Sequence, residues 1–301
     1  MAILTNIRKA LWDSLASLDV ASRLTPQNSH LFYSPNQRPS IGQLPALEMI
    51  PKSVSTNWTH YQLSQIDYVL TVNIYADGFD LIKLEWLWQQ AAAAIYNDVP
   101  LSQLLSVRPV IGSPSLVEEA NFNIWTFTVT LSTNWNPLVP QVVGTKHNFE
   151  SGVVLTDVRH VILDSIQDSI GSDLNKIYRY EVKGPNYSPT IGDLPCLRVV
   201  PNGVTTPYAT NNPERFVQYG LQVDLITKWY EVEKGEDLWE RMVAGLYANQ
   251  RTKIQLGSPV WAINGTTITF PVVPQMTLWS VSITTNTLWA PAAPTVRNMD
   301  S

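Results

Sequence analysis

At 301 residues the chain has length for about two domains. Hydrophobic residues make up 45% and charged residues only 15%, which excludes an intrinsically disordered chain. A net charge of -5 and a pI near 5.4 argue against a surface built to neutralise nucleic-acid phosphates.

Eleven Trp and twelve Tyr exceed what a core of this size needs, so some aromatics are expected at interfaces. Cys196 is the only cysteine, which rules out an intrachain disulfide and removes any requirement for an oxidising compartment. The N-x-Ser/Thr triplets at Asn57, Asn186 and Asn264 are then read as coincidental. Met1 to Leu18 lacks a basic n-region and a continuous apolar h-region, and no apolar run is long enough to span a bilayer. The expectation is a soluble, unprocessed protein with no membrane partner.

The chain repeats itself. Ser40-Ile41-Gly42-Gln43-Leu44-Pro45-Ala46-Leu47 returns as Thr190-Ile191-Gly192-Asp193-Leu194-Pro195-Cys196-Leu197. Upstream, Ile7-Arg8 answers to Val158-Arg159, and downstream Tyr68, Leu70 and Val72 answer to Tyr219, Leu221 and Val223. Glu85, Leu87 and Trp88 match Glu236, Leu238 and Trp239, and Trp125 matches Trp279. The offset drifts only from about 150 to about 154 residues, the pattern of a tandem duplication with a few loop insertions. The expected division is a first domain over 1–137, a linker over 138–152, a second domain over 153–291 and an extended tail over 292–301.

In chain order, Leu4, Ile7, Leu11, Leu15 and Leu18 fall at spacings of three and four, one face of an amphipathic helix, and Leu155, Val158, Ile162, Ile166 and Ile170 form its twin. Thr5 and Thr156 stand where an N-cap oxygen is needed. The segments after the two Leu-Pro pairs predict strands, with Cys196 as a small buried hydrophobe. Pro51 to Gln65 and Pro201 to Gln218 are polar and predict long contact-making loops. From these loops come the candidate partner-contact residues Asn57, Trp58, His60, Tyr61, Tyr208, Asn211, Asn212 and Arg215. Strict alternation over Tyr68–Ile74 and Tyr219–Leu225 predicts strands. Helices follow over Asp80–Asn97 and Val232–Tyr247, and Thr- and Ser-rich alternating strands close each unit at Trp125–Leu131 and Trp279–Ile283. The fold class expected is therefore α+β, two tandem copies of an antiparallel sheet with two helices packed on one face.

Signatures of chemistry are missing. His30, His60, His147 and His160 show no metal-ligand spacing, and no nucleophile elbow, Walker loop or dinucleotide fingerprint occurs. The available carboxylates are Asp77, Asp80, Glu85, Glu118, Glu119, Glu231 and Glu236. Glu85 and Glu236 each lie beside a lysine on the second helix, which favours a solvated face or an intersubunit salt bridge over catalysis. Trp88 and Trp239 lie in an apolar stripe, which favours core packing over a sugar platform. No enzyme activity, cofactor or metal is expected.

Each copy resembles the tail terminator and tail completion (neck) proteins of long-tailed bacteriophages. The likeness rests on the order of parts: a start helix with Ile7-Arg8 or Val158-Arg159, Leu-Pro-Ala-Leu or Leu-Pro-Cys-Leu opening a strand, a long polar segment, an alternating strand, a helix such as Gln90–Ile95, and a Thr-rich closing strand. The resemblance implies a virion structural protein, assembled in the host cytoplasm as a ring of about six subunits. Such a ring caps the tail tube and joins it to the neck. Its partners would be other copies of the chain, a tail tube or sheath protein and a head-tail connector or stopper, with genomic DNA passing through unbound. Two arrangements suit a doubled domain: three chains with copies alternating, or six chains with the copies in unlike layers. The divergent loops at 52–65 and 202–218 favour the hexamer over the trimer. The alternative function is a baseplate or surface module that uses Trp58, Tyr61, Trp135 and Trp289 to recognise a glycan or host receptor.

Overall fold

The computed structural model describes residues 3–16, 39, 44–60, 63–77, 81–118, 122–135, 154–178, 189–205, 215–254, 260–270 and 275–289. The fold is α+β. The helices are α1 (Ile3–Ala16), α2 (Leu81–Asn97), α3 (Val99–Leu104), α4 (Val154–Ile170) and α5 (Val232–Ile254). The strands are β1 (Ala46–His60), β2 (Leu63–Asp77), β3 (Val110–Ile111), β4 (Ser115–Glu118), β5 (Phe122–Trp135), β6 (Lys176–Tyr178), β7 (Cys196–Thr205), β8 (Arg215–Lys228), β9 (Val260–Thr269) and β10 (Met276–Trp289).

All ten strands belong to one sheet, ordered β3-β5-β2-β1-β9-β10-β8-β7-β6, with β4 also on β5. The two halves therefore lie side by side. In the first, β1 pairs with β2 and β2 with β5; in the second, β7 pairs with β8 and β8 with β10. Both first hairpins shift register at corresponding points, between Pro51 and Ser53 and between Pro201 and Gly203, and Leu44-Pro45 and Leu194-Pro195 are both cis. β9 is continuous where the first half has β3 and β4, because Gly112-Ser113-Pro114 interrupts the strand there.

Period-2 alternation decides which sheet face is dry. Tyr68, Leu70 and Val72 of β2 share a face with Leu131, Val129 and Phe127 of β5, and Leu221, Val223 and Leu225 of β8 with Ile283, Val281 and Trp279 of β10. All are buried in one hydrophobic core that also takes Leu4, Ile7, Leu11 and Leu15 of α1, Leu84 and Leu87 of α2, Ile162 and Ile166 of α4, and Leu238, Trp239 and Met242 of α5. The helices thus cover one face, as the stripes predicted, and the core runs through both halves without a break. Leu18, Leu155, the linker 138–152 and the tail 292–301 lie outside the residues whose surroundings are described.

Three expectations are corrected. The polar segment from Pro51 to Gln65 is not a loop: β1 runs to His60 and β2 begins at Leu63, making a long hairpin arm whose β2 strand stays paired with β5 as far as Ser64. Likewise β7 continues to Thr205 and β8 begins at Arg215. Thr, Val and Trp suit an extended strand, and the buried Val54 and Ile66 stand among too many polar residues to announce one. The sheet is not wholly antiparallel, since β6 runs parallel to β7. Thr5 is no N-cap; it lies inside α1, and its hydroxyl is used elsewhere. The short helix α3 was not predicted; Asp98 caps it by accepting the Leu101 N–H at 2.6 Å, with Pro100 in its first turn.

Helices α4 and α5 meet at Gly245, where an added Cβ would lie 2.5 Å from Ser169 Cβ and 2.7 Å from its Oγ. An Ala in a helix interior normally stabilises by about 1 kcal/mol over Gly. Here the clash dominates, so Gly245→Ala is expected to cost about 1 to 3 kcal/mol in urea unfolding, with Ser169→Gly restoring part of the loss.

Candidate functional site

Arg8 stands one turn after Leu4 on the apolar face of α1, so docking α1 on the core carries a guanidinium into the interior. A buried cation is tolerated only beside a well-placed anion. Glu236 of α5, from the other half of the chain and itself fully buried, supplies it. Arg8 Nε donates to Glu236 Oε1 at 2.5 Å and Nη2 to Oε2 at 2.9 Å. The Thr5 hydroxyl donates to Oε2 at 2.7 Å and the Tyr68 hydroxyl to Oε1 at 2.8 Å. Burial and then the nearby carboxylate push the Tyr68 phenol well above its usual range, so it remains a donor. At the rim Lys9 pairs with Glu233 at 2.8 Å.

One turn beyond Glu236, Glu240 accepts the backbone N–H groups of Ile3 and Leu4 at 3.0 and 2.6 Å. It caps α1 from across the joint between halves and does the work assigned by sequence to a local threonine. Burial raises its pKa to about 7 against the opposing effect of those two hydrogen bonds.

Strands complete the joint. Ser53 and Val54 of β1 pair with Thr267 and Thr266 of β9, and the Trp239 indole N–H donates to Thr266 Oγ1 at 2.8 Å. Trp239 also packs on Trp135, with ring centroids 6.1 Å apart. An ion pair, a strand pair and an aromatic pair therefore tie the first half to the second.

The sheet face turned away from the described helices carries a polar cluster in each half. In the first, Glu48 accepts from Asn73 Nδ2 at 2.9 Å and from the Tyr75 hydroxyl at 2.6 Å, and the Thr126 hydroxyl donates to Asn73 at 2.9 Å. In the second, Asp224 accepts from Arg198, from Gln222 at 2.8 Å and from Ser280 at 2.8 Å. The carboxylate has changed strands between the clusters, from β1 to β8. Both are satisfied hydrogen-bond networks, suited to stiffening a sheet face rather than to moving protons.

Among the predicted site residues, Asn57, Trp58 and His60 lie near the tip of the β1–β2 arm as strand residues, and Arg215 opens β8 opposite Trp289. Tyr61, Tyr208, Asn211 and Asn212 lie outside the described residues. The structure brings the first three onto one arm and places Arg215 on a different hairpin. Trp135 is buried against Trp239 and is withdrawn from any surface aromatic platform. Of the carboxylates, Glu236 is the buried ion-pair member, Glu85 and Glu118 are exposed, and Glu231 pairs with Lys228 at 3.3 Å. Among the described residues no group of three metal-ligating side chains occurs. Cys196 is buried beside Leu194, Ile226 and Met276, and burial pushes its thiol up to about 12. Sequence reasoning missed Arg8, Tyr68 and Glu240; the signal within reach was an arginine on an apolar helical stripe.

No protein-family model matches the chain, and no curated protein matches it.

Replacing Glu236 by Gln leaves Arg8 as a buried cation without its anion and is expected to cost about 3 to 5 kcal/mol in urea unfolding, more than the paired change R8M with E236L. A second outcome concerns pH. The unfolded Glu240 carboxyl releases its proton near 4.5 and the folded one near 7, so raising pH across this window favours the unfolded chain. Glu240's own contribution to stability should be greatest below about 4.5 and fall by about 1 to 2 kcal/mol by neutral pH, and Glu240→Gln should remove that part of the pH dependence.

Proposed function

We propose that the chain is a virion structural protein that forms a homo-oligomeric ring at the head-proximal end of a bacteriophage tail, capping the tube and joining it to the neck. One observation carries the reading: the halves of the chain meet head to tail. The β1 edge of the first half meets the β9 edge of the second, so two unlike edges are joined. Joints of that heterologous kind close into rings when the rotation between units closes.

The order of parts in each half supports the same reading through its likeness to terminator domains. A side chain budget spent on aromatics and on few charges suits a protein whose surface meets other proteins. An acidic chain also suits a channel through which DNA slides without sticking. The partners in this reading are the tail tube or sheath on one side and a connector or stopper on the other. Particles made without this protein should have tails of irregular length or heads without tails in electron micrographs. Normal virions from the deletion would refute the assignment.

A further inference from the structure

The joint inside the chain has an unused counterpart on its outside. Registers define the correspondence: Ser115 faces Thr126 on β5 where Thr267 faces Ser280 on β10, and Leu116 and Ile268 each face a tryptophan, Trp125 and Trp279. On the opposite edge, the residues following the register shift are Ser53 and Val54 in β1 and Gly203 and Val204 in β7.

Exposure separates the used members from the unused ones. Val54, covered by β9, is 1% exposed, and Val204 is 51% exposed; Ile268 is 6% exposed, and Leu116 is 41%. The helices show the same division. Val232, at the start of α5, is 0% exposed, while Leu81, at the start of α2, is 45% exposed next to Ile82 at 81%. Glu236 is buried under Arg8, and Glu85, its match in the repeated Glu-x-Leu-Trp, is exposed. Gln89 is likewise exposed at the place where Glu240 caps α1. One contiguous type of surface, strand edge and helix face together, is therefore covered in the second half and open in the first.

We propose that this open surface, β4 with the Leu81–Gln89 face of α2, receives the second half of another copy of the same chain through the part of its β7 edge that β6 leaves unpaired, at Gly203 and Val204. Ser115 then lies opposite Gly203 of the neighbour. Exposed apolar residues beside an unpaired strand edge are a liability for a lone monomer, and this contact removes both. Because the contact repeats the internal joint, each chain adds two units to the same progression. If the ring sits on a tail tube and has about six positions, as the resemblance to terminator proteins implies, three alternating chains fill it. That count rests on the tail reading; the edge pairing does not.

Cysteine cross-linking tests the pairing directly. Cys196→Ala removes the native thiol, alanine being the residue at the corresponding position 46. Added to it, Ser115→Cys and Gly203→Cys place thiols on the two edges, and a Cβ at 203 has no atom within 4 Å to meet. On the purified full-length chain, concentrated until its mass rises above 33.8 kDa, the double-cysteine variant should oxidise to covalent multimers and neither single-cysteine variant should cross-link. Native mass should be about 100 kDa for three chains against about 200 kDa for six. Val204→Lys and Ile82→Lys, both at exposed positions, should hold the chain at monomer mass with unchanged circular dichroism.

Disulfide dimers from a single-cysteine variant would indicate like edges meeting and overturn the proposal. So would an intact oligomer whose double-cysteine variant stays uncrosslinked, or a chain that remains monomeric at every concentration. Cross-linked rings from a chain whose deletion leaves virions normal would keep the joint and dismiss the tail role. A deletion phenotype without cross-linking would do the reverse.

Discussion

The rest of the structure depends on one buried carboxylate. Glu236 accepts from Arg8, Thr5 and Tyr68, three residues that belong to α1 and β2 of the other half, and it has no contact with solvent. Taking both charges out of water costs several kcal/mol per ion, and the ion pair recovers that cost only at good geometry. The pair is therefore a poor source of net stability and a strict positional constraint. Shifting α1 by one turn along α5 would strand Arg8 and leave Glu240 without the Ile3 and Leu4 N–H groups. Among the described residues the strand joint between the halves holds two residue pairs, Ser53 with Thr267 and Val54 with Thr266, so the helix contacts carry much of the orientation.

Much of the fold was legible because periodicity records burial. The stripes Leu4-Ile7-Leu11-Leu15 and Val158-Ile162-Ile166-Ile170 and the alternation at Tyr68–Ile74 all occupy the core face they predicted. The repeat pointed to corresponding strands, and their register shifts fall at corresponding points. What sequence could not show was any interaction between distant segments. Arg8 and Glu236 are 228 positions apart, and no spacing rule links them. The sequence did hold half of the clue, since an arginine four residues after Leu4 must enter the core with the stripe or break it. The β1–β2 arm was missed for the opposite reason. Its buried members, Val54 and Ile66, are set among Lys, Ser, Thr, Asn and Gln too sparsely to show a period of two.

The two polar clusters on the sheet face away from the described helices show how a shared backbone tolerates divergence. Glu48 on β1 and Asn73 on β2 are replaced at the corresponding sites by Arg198 on β7 and Asp224 on β8, so the negative group moves to the neighbouring strand and a cation takes its former place. Each version is internally satisfied, with Thr126 and Ser280 donating to the β2 or β8 residue in both. A neutral amide in one cluster and a carboxylate in the other exchange freely when every lone pair and proton still finds a partner. Such a face keeps its shape while its buried charges are rearranged, so the two halves hold different networks on the same scaffold.

Loop divergence between the halves therefore says less about symmetry than the sequence alone suggested. In a ring of alternating copies the two kinds of joint are unequal from the start, because one is inside a chain and the other is between chains. Covalent linkage gives the internal joint a high effective concentration, and that joint can carry a fully desolvated ion pair whose net contribution is small. A joint made between separate chains pays the entropy of association in addition and gains more from apolar area. The side chains at the open surface follow that division: Leu81, Ile82, Trp86 and Leu116 are exposed there, while the matching stretch of α5 has Glu233 and Asp237 around Glu236. Two unlike joints on one scaffold require different residues even when every subunit ends in the same layer.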